Sequence, residues 1–178
     1  MTERALIGQK AREFCNELWQ RGDFWNFESS EYERARCARL LTILAGRRYA
    51  RALEIGCGAG YFTRLLAGIA DQIVAFDIAP AAIARARTLE ADLRQVDFRV
   101  ANAMDYEWRA DGPWDLVVCS DTICYLGWLY TFFDVAWFAA ELFAATAVAG
   151  DSSWPTPWTR SKTSCYSLTS SVPTGTCS

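Results

Sequence analysis

The feature that most constrains this chain is a run of eleven residues, Leu53-Glu54-Ile55-Gly56-Cys57-Gly58-Ala59-Gly60-Tyr61-Phe62-Thr63. It joins an apolar strand, a tight glycine loop and the opening of a helix. Glycines at 56, 58 and 60 let a ligand lie almost on the main chain, where any Cβ would hold it away. The next helix turns unpaired N–H groups and its positive dipole end toward the loop, which favours a negative group there. Taken alone, the glycines would equally serve an ordinary strand-to-helix turn.

The next strand narrows the choice. It is apolar, Gln72-Ile73-Val74-Ala75-Phe76, and ends in Asp77, seventeen positions beyond Gly60. A strand, glycine turn, helix and strand ending in an acid form a nucleoside-binding half-unit, with the carboxylate placed to accept hydrogen bonds from ribose hydroxyls. By itself Asp77 could also be the N-cap of a helix opening at Pro80. Two ligand classes suit the half-unit: a dinucleotide, or S-adenosylmethionine (SAM).

The loop spacing separates them. A dinucleotide site uses Gly-x-Gly-x-x-Gly so that a pyrophosphate can approach the helix. Here the pattern is Gly56-x-Gly58-x-Gly60, preceded by Glu54 and followed by bulky Tyr61. It resembles motif I of the class I SAM-dependent methyltransferases. The resemblance continues in order. Val74-Ala75-Phe76-Asp77-Ile78 looks like motif II. Asp97-Phe98-Arg99-Val100-Ala101-Asn102-Ala103-Met104-Asp105 looks like the third strand and its adenine-contacting turn. Trp114-Asp115-Leu116-Val117-Val118-Cys119-Ser120-Asp121 looks like motif IV, which leads into the reaction centre. An NAD-dependent oxidoreductase is the outside alternative, disfavoured by the spacing.

Three further segments are similar to the nodulation protein S (NodS-like) methyltransferases: residues 24–33, 50–64 and 130–143. The resemblance covers roughly residues 20–150. It implies SAM as cofactor and methylation of the free amino group of a small acceptor, a de-N-acetylated chitooligosaccharide in that family. An O-methyltransferase, or a methyltransferase for another amine, is not separated from this by sequence. Neither is a truncated SAM-binding remnant without turnover.

The same resemblance assigns residues. Glu54, Gly56, Gly58 and Gly60 would shape the pocket for the methionine part of the cofactor. Asp77 would bind the ribose, and Ile78 would line the adenine. Asn102 and Ala103 would edge the ring, and Cys119 and Ser120 would lend backbone near the methionine end. An amine must be neutral to attack a methyl group, and with no histidine in the chain a carboxylate is the expected proton acceptor. Asp121 is the first catalytic candidate and Tyr125 the second, although Asp121 also suits a helix N-cap. Trp25 and Tyr32 read either as aromatic walls of the pocket or as core; Trp137 and Phe138 read as core.

Composition excludes several classes. The chain has 178 residues, of which 52% are apolar, enough for one domain with a real core. A net charge of −3, with no basic stripe, gives no footprint for nucleic acid. The Arg-rich stretch at 33–39 reads as the solvated face of a helix. Seven cysteines without metal spacing, and no histidine, leave no metal site to expect. Unpaired thiols and no signal peptide imply the cytoplasm. The most apolar run, residues 135–149, is too short to cross a bilayer and carries Glu141.

Along the chain, residues 2–21 read as a helix with Phe14, Leu18 and Trp19 on one face. A second helix opens with a Ser30-x-x-Glu33 capping box and runs to about Ala45, with Leu40, Leu41 and Leu44 buried. Strands are expected at 52–55, 72–76, 97–101 and 115–119, and helices at 61–69, 80–93 and 128–147. This alternation predicts a Rossmann-like α/β fold with a parallel sheet and flanking helices. The parts are a helical cap at 1–46, a SAM-binding core at 47–150 and a tail at 151–178.

The tail changes character. Half of residues 151–178 are Ser or Thr, with Trp154, Trp158 and two cysteines among them. It reads as a disordered segment or as an out-of-frame one. Codons exist for residues 150–164 that read, two nucleotides along, as the apolar and then acidic string GLVLANTVDEVEDLL. Either way the family's fifth to seventh strands are missing, which would leave the fourth strand as an exposed apolar edge.

Overall fold

The computed structural model describes residues 2–27 and 29–146; the expectations for the tail lie outside the described residues. Four parallel strands form one sheet: β1 (Tyr49–Ile55), β2 (Ala70–Asp77), β3 (Val96–Val100) and β4 (Leu116–Cys119). Their spatial order is β3-β2-β1-β4. The chain winds outward from β1 through β2 to β3, then crosses back to place β4 on the other side. That reversal opens a crevice beyond the carboxyl ends of β1 and β4, the place where open α/β sheets bind ligands.

Alternation along the strands feeds two helical layers. Ala52, Ile73, Ala75, Leu116 and Val118 face one layer with α2 (Glu31–Leu44), α3 (Tyr61–Leu66) and α4 (Pro80–Leu89), where Leu40, Leu44, Leu66 and Ile83 are buried. Leu53, Ile55, Val74, Phe76, Val117 and Cys119 face the other. That layer holds α5 (Trp108–Asp111), α6 (Thr122–Leu129) and α7 (Phe132–Ala144), with Trp108, Leu126, Phe138 and Leu142 buried. Strands buried on both faces read as near-continuous apolar runs, as the sequence does here.

Helix α1 (Glu3–Gln20) lies across the strand ends and packs on α4. Its seating face is Gly8, Ala11 and Trp19, with Cys15 partly buried; Phe14 is 58% exposed, contrary to expectation. Small residues set this face because the helix approaches closely: a Cβ on Gly8 would stand 2.7 Å from Asn102 Nδ2. Arg4 secures the near end, donating to the Met104 carbonyl at 2.7 Å and lying over the Trp137 ring at 4.1 Å. Trp137 is accordingly 40% exposed and is not core, whereas Phe138 is.

Other boundaries move in instructive ways. The helix expected over 128–147 is two helices, broken at Tyr130-Thr131, because Thr131 and Asp134 form a reciprocal capping box that starts α7. At α2 the box is half made. Ser30 Oγ accepts from Glu33 N at 3.3 Å, but the Glu33 carboxylate turns to Arg36. Arg36 therefore leaves the solvated face assigned to residues 33–39. Among the described strands β4 is an edge of the sheet, as expected, but all four of its side chains are buried rather than exposed. After α7 the chain returns alongside, with Trp114 N donating to the Ala145 carbonyl at 2.9 Å and a parallel bridge from Trp114 to Thr146.

Candidate functional site

The glycine loop folds as its sequence dictates. Gly56, Gly58 and Gly60 have φ of 73°, 55° and 88°, a region that side chains with a Cβ rarely occupy. Neighbours also demand glycine. A Cβ at Gly56 would run into the Thr122 hydroxyl, one at Gly58 would stand 2.8 Å from the Trp19 ring, and one at Gly60 would stand 2.9 Å from Glu90 Cγ.

Asp77 closes this loop against β2. Gly58 N donates to Asp77 Oδ2 at 3.0 Å and Ala79 N donates to Oδ1 at 2.9 Å. The N-cap of α4 is Ala79, so Asp77 is not the helix cap that sequence left open. Its carboxyl is only 9% exposed, and burial pushes its pKa up while the backbone donors pull it down. A carboxylate against a glycine loop at the end of the second strand is the arrangement of nucleoside-binding α/β half-units.

Glu54 lies beneath the loop. It is 5% exposed and accepts from Thr63 Oγ1 at 2.5 Å. Burial pushes its carboxyl up to about 8; the Thr63 bond opposes this, and the nearby Asp77 and Glu90 carboxylates add to it. Ile55 pairs with Phe76 on one side and Cys119 on the other, so Gly56, Asp77 and Cys119 stand together at the strand ends. Ala101 N donates to the Asp77 carbonyl at 3.0 Å, bringing Asn102 and Ala103 to the same end. Asn102 is occupied structurally, accepting from Met104 N at 3.1 Å and donating to Asp105 at 2.8 Å. Ile78 is half-buried and Ala103 buried.

Asp121 follows Ser120 at the end of β4, at the N-cap position of α6, yet its side chain makes no cap bond. It pairs with Arg36 at 2.7 Å instead. Burial raises its pKa, Arg36 lowers it, and Glu33 raises it. Tyr125, one turn along α6, is half-buried and stands edge-on to Trp128 with 5.8 Å between ring centroids. Trp25 belongs to an aromatic cluster beside the loop, 5.3 Å from Trp19 and 6.4 Å from Phe27. Tyr32 does not join it and is 56% exposed.

Sequence reasoning missed four contributors: Trp19 over Gly58, Thr63 on Glu54, Thr122 against Gly56 and Arg36 on Asp121. Only the three-residue step from Thr63 back to Gly60, in the same motif, could have drawn attention to one of them. A hollow of about 410 Å³, with Arg99, Tyr106 and Asp111 in its lining, meets this site along Ala101, Asn102 and Asp105.

The sheet order, the glycine loop and the acid ending β2 define a Rossmann-like methyltransferase fold. Residues 10–131 match the family model described as nodulation protein S (NodS), and the chain belongs to that family. It is 32% identical over 106 residues to nodulation protein S of Rhizobium tropici, covering 59% of this chain and 44% of that protein. It is 36% identical over 76 residues to a ubiquinone biosynthesis O-methyltransferase of Xanthomonas campestris pv. campestris, covering 42% of this chain and 31% of that one. The fold is shared with the N-methyltransferase NodS of Bradyrhizobium japonicum WM9, solved with S-adenosyl-L-homocysteine. The TM-score is 0.65 at 23% identity, over 76% of this chain and 69% of that one. The chain spans about half the length of the nodulation protein S relatives it matches.

Proposed function

We propose that this chain is the cofactor-binding part of a SAM-dependent methyltransferase, acting on an amino group of a small molecule such as a de-N-acetylated chitooligosaccharide. The observation that carries the reading is the Asp77 carboxylate bridging Gly58 N and Ala79 N across a loop of three positive-φ glycines. The residues present fit the cofactor: an acceptor for the ribose at Asp77, an amide at Asn102 for the adenine edge, Glu54 beneath the loop shaping the methionine end, and a half-exposed carboxylate at Asp121 for a positive group. Ile78 and Ala103 would line the adenine, and Cys119 with Ser120 would border the methionine end. SAM supplies a methyl group on a positive sulfonium, already activated toward a nucleophile.

The chain's own task is then alignment and exclusion of water. Helix α1 covers the strand ends, with the Trp19 ring over Gly58 and Gly8 against Asn102. Asp121 accepts a hydrogen bond from the amine and takes the proton that nitrogen gives up, with Tyr125 beside it as a second candidate. The described cysteines are free thiols, in keeping with a cytoplasmic setting. Among the described residues no helix is long and apolar enough to cross a membrane.

A second reading is a SAM-binding unit without turnover. Calorimetry with SAM followed by an assay on glucosamine oligomers separates the two. Binding with methyl transfer supports the enzyme, and binding without transfer supports the remnant. Binding of NAD but not SAM would overturn both.

A further inference from the structure

Asp121 sits where a helix N-cap is normally recruited, but its backbone (φ −95°, ψ −12°) is already helical and its carboxylate bonds nothing in α6. The chain uses it differently. Arg36, from the middle of α2, reaches across and places Nη1 2.7 Å from Asp121 Oδ2. The same guanidinium is fixed from behind, with Nε 2.9 Å and Nη2 2.7 Å from Glu33 Oε2. A planar fork held at three nitrogens has little freedom left, so it dictates where Asp121 points. Arg36 is only 12% exposed on its side chain, whereas Asp121 is 48% exposed. The cation is buried and committed; the carboxylate is half open and has room for a second partner.

From this geometry we infer that Arg36 is a positioning residue, which turns the Asp121 carboxylate out from the end of β4 as the acceptor for an amine proton. The inference rests on the proposed role of Asp121. It adds that the carboxylate is set by a residue on α2, more than eighty positions away in sequence. When nitrogen is alkylated, its lone pair forms the new N–C bond while the donor's methyl–sulfur bond would break and leave its electron pair on sulfur; one N–H bond then breaks, and that proton passes to the Asp121 carboxylate. The charged and titratable groups facing Asp121 are Arg36 and Glu33, with the Cys37 thiol beside them. Glu33 and partial burial both favour the protonated, useless form. Arg36 opposes them, so its removal raises the pH at which the carboxyl gives up its proton.

The test is a ¹³C NMR titration of the Asp121 carboxyl on this chain, assigned with D121N, so that no turnover is required. In R36M the midpoint should rise by about one pH unit or more, the effect of losing an adjacent opposite charge. R36K should restore most of it. E33Q, which leaves the guanidinium to Asp121 alone, should lower the midpoint; this variant stands in if R36M does not fold. A merely structural Arg36 would lower the melting temperature and leave the midpoint where it was, which overturns the inference. An unmoved midpoint in E33Q does the same.

Methyl transfer then tests the role of Asp121 itself. If the midpoints move as expected but D121N transfers methyl groups at the wild-type rate, Arg36 positions the carboxylate yet Asp121 is not the acceptor. If D121N is inactive, the acidic limb of the R36M rate profile should shift with the NMR midpoint while KM stays nearly constant.

Discussion

Gly58 and Asp77 lie nineteen positions apart in sequence and are joined by one hydrogen bond, Gly58 N to Asp77 Oδ2 at 3.0 Å. The bond makes the loop and the acid a single object: the loop holds the carboxylate, and the carboxylate holds the loop's left-handed turn. Asp77→Asn keeps the shape but turns an acceptor into a donor, facing either Gly58 N or Ala79 N. We expect a loss of about 1–3 kcal/mol in stability, the cost of one buried unsatisfied donor. SAM affinity should fall by at least about tenfold, since a charged acceptor for the ribose is lost. Calorimetry against the exposed control Asp71→Asn checks both, and an unchanged Kd would remove Asp77 from the cofactor site.

Trp19 is 6% exposed and its ring stands over Gly58, so any ligand that lies on the loop meets that indole. The emission of Trp19, taken as the difference between wild type and Trp19→Phe, should therefore change when SAM is added. Trp19→Ala should cost about 3–5 kcal/mol, as for other large-to-small changes at buried aromatics. Identical difference spectra with and without SAM would show that the ligand does not reach the loop.

The Glu54 carboxyl is pushed up by burial to about 8, from an ordinary value of 4.5. Below about 4.5 the group is protonated in both the folded and the unfolded chain and contributes no pH dependence. As pH rises toward 8 the unfolded chain has lost the proton that the folded chain retains, so stability falls, and above 8 the loss is complete. At most it amounts to roughly 5 kcal/mol. Glu54→Gln should flatten this part of the stability curve, so the variant should melt above wild type at pH 9 and close to it at pH 4.5. Equal pH slopes in urea denaturation would exclude a neutral Glu54.

Much of this fold was legible because its signals are local. The glycine loop, the apolar runs of β1, β2 and β4, and Asp77 at a strand end each declare themselves within a few residues. The helical cap and Trp19 on its inner face were legible too, but the rest of that face was not, because Gly8 and Ala11 carry no hydrophobic signal and matter only through close approach. Phe14 drew the eye and is exposed. Arg36 read as surface for the same reason: its partner Asp121 is remote in sequence, and no spacing rule links α2 to the end of β4. The caps that sequence did weigh resolved unevenly. Asp77 and Asp121 are both freed from capping, while the strongest cap, at Thr131, went unread inside an apolar stretch.

At that cap, Thr131 Oγ1 accepts from Asp134 N at 3.3 Å, and Asp134 Oδ2 accepts from Thr131 N at 3.2 Å, so α7 starts where a continuous helix was expected. The break ends α6 at Leu129 and starts α7 afresh at Phe132, with Phe138 and Leu142 buried in the core. Thr131→Ala removes the side-chain acceptor and should cost about 1 kcal/mol. Asp134→Ala should cost a similar amount and also removes the partner of Arg4, 4.0 Å away. In the double variant the two losses should add to less than their sum, since each residue completes the other's bond. Urea melts of the single and double variants measure this, and strict additivity would mean that the reciprocal cap does not form in solution.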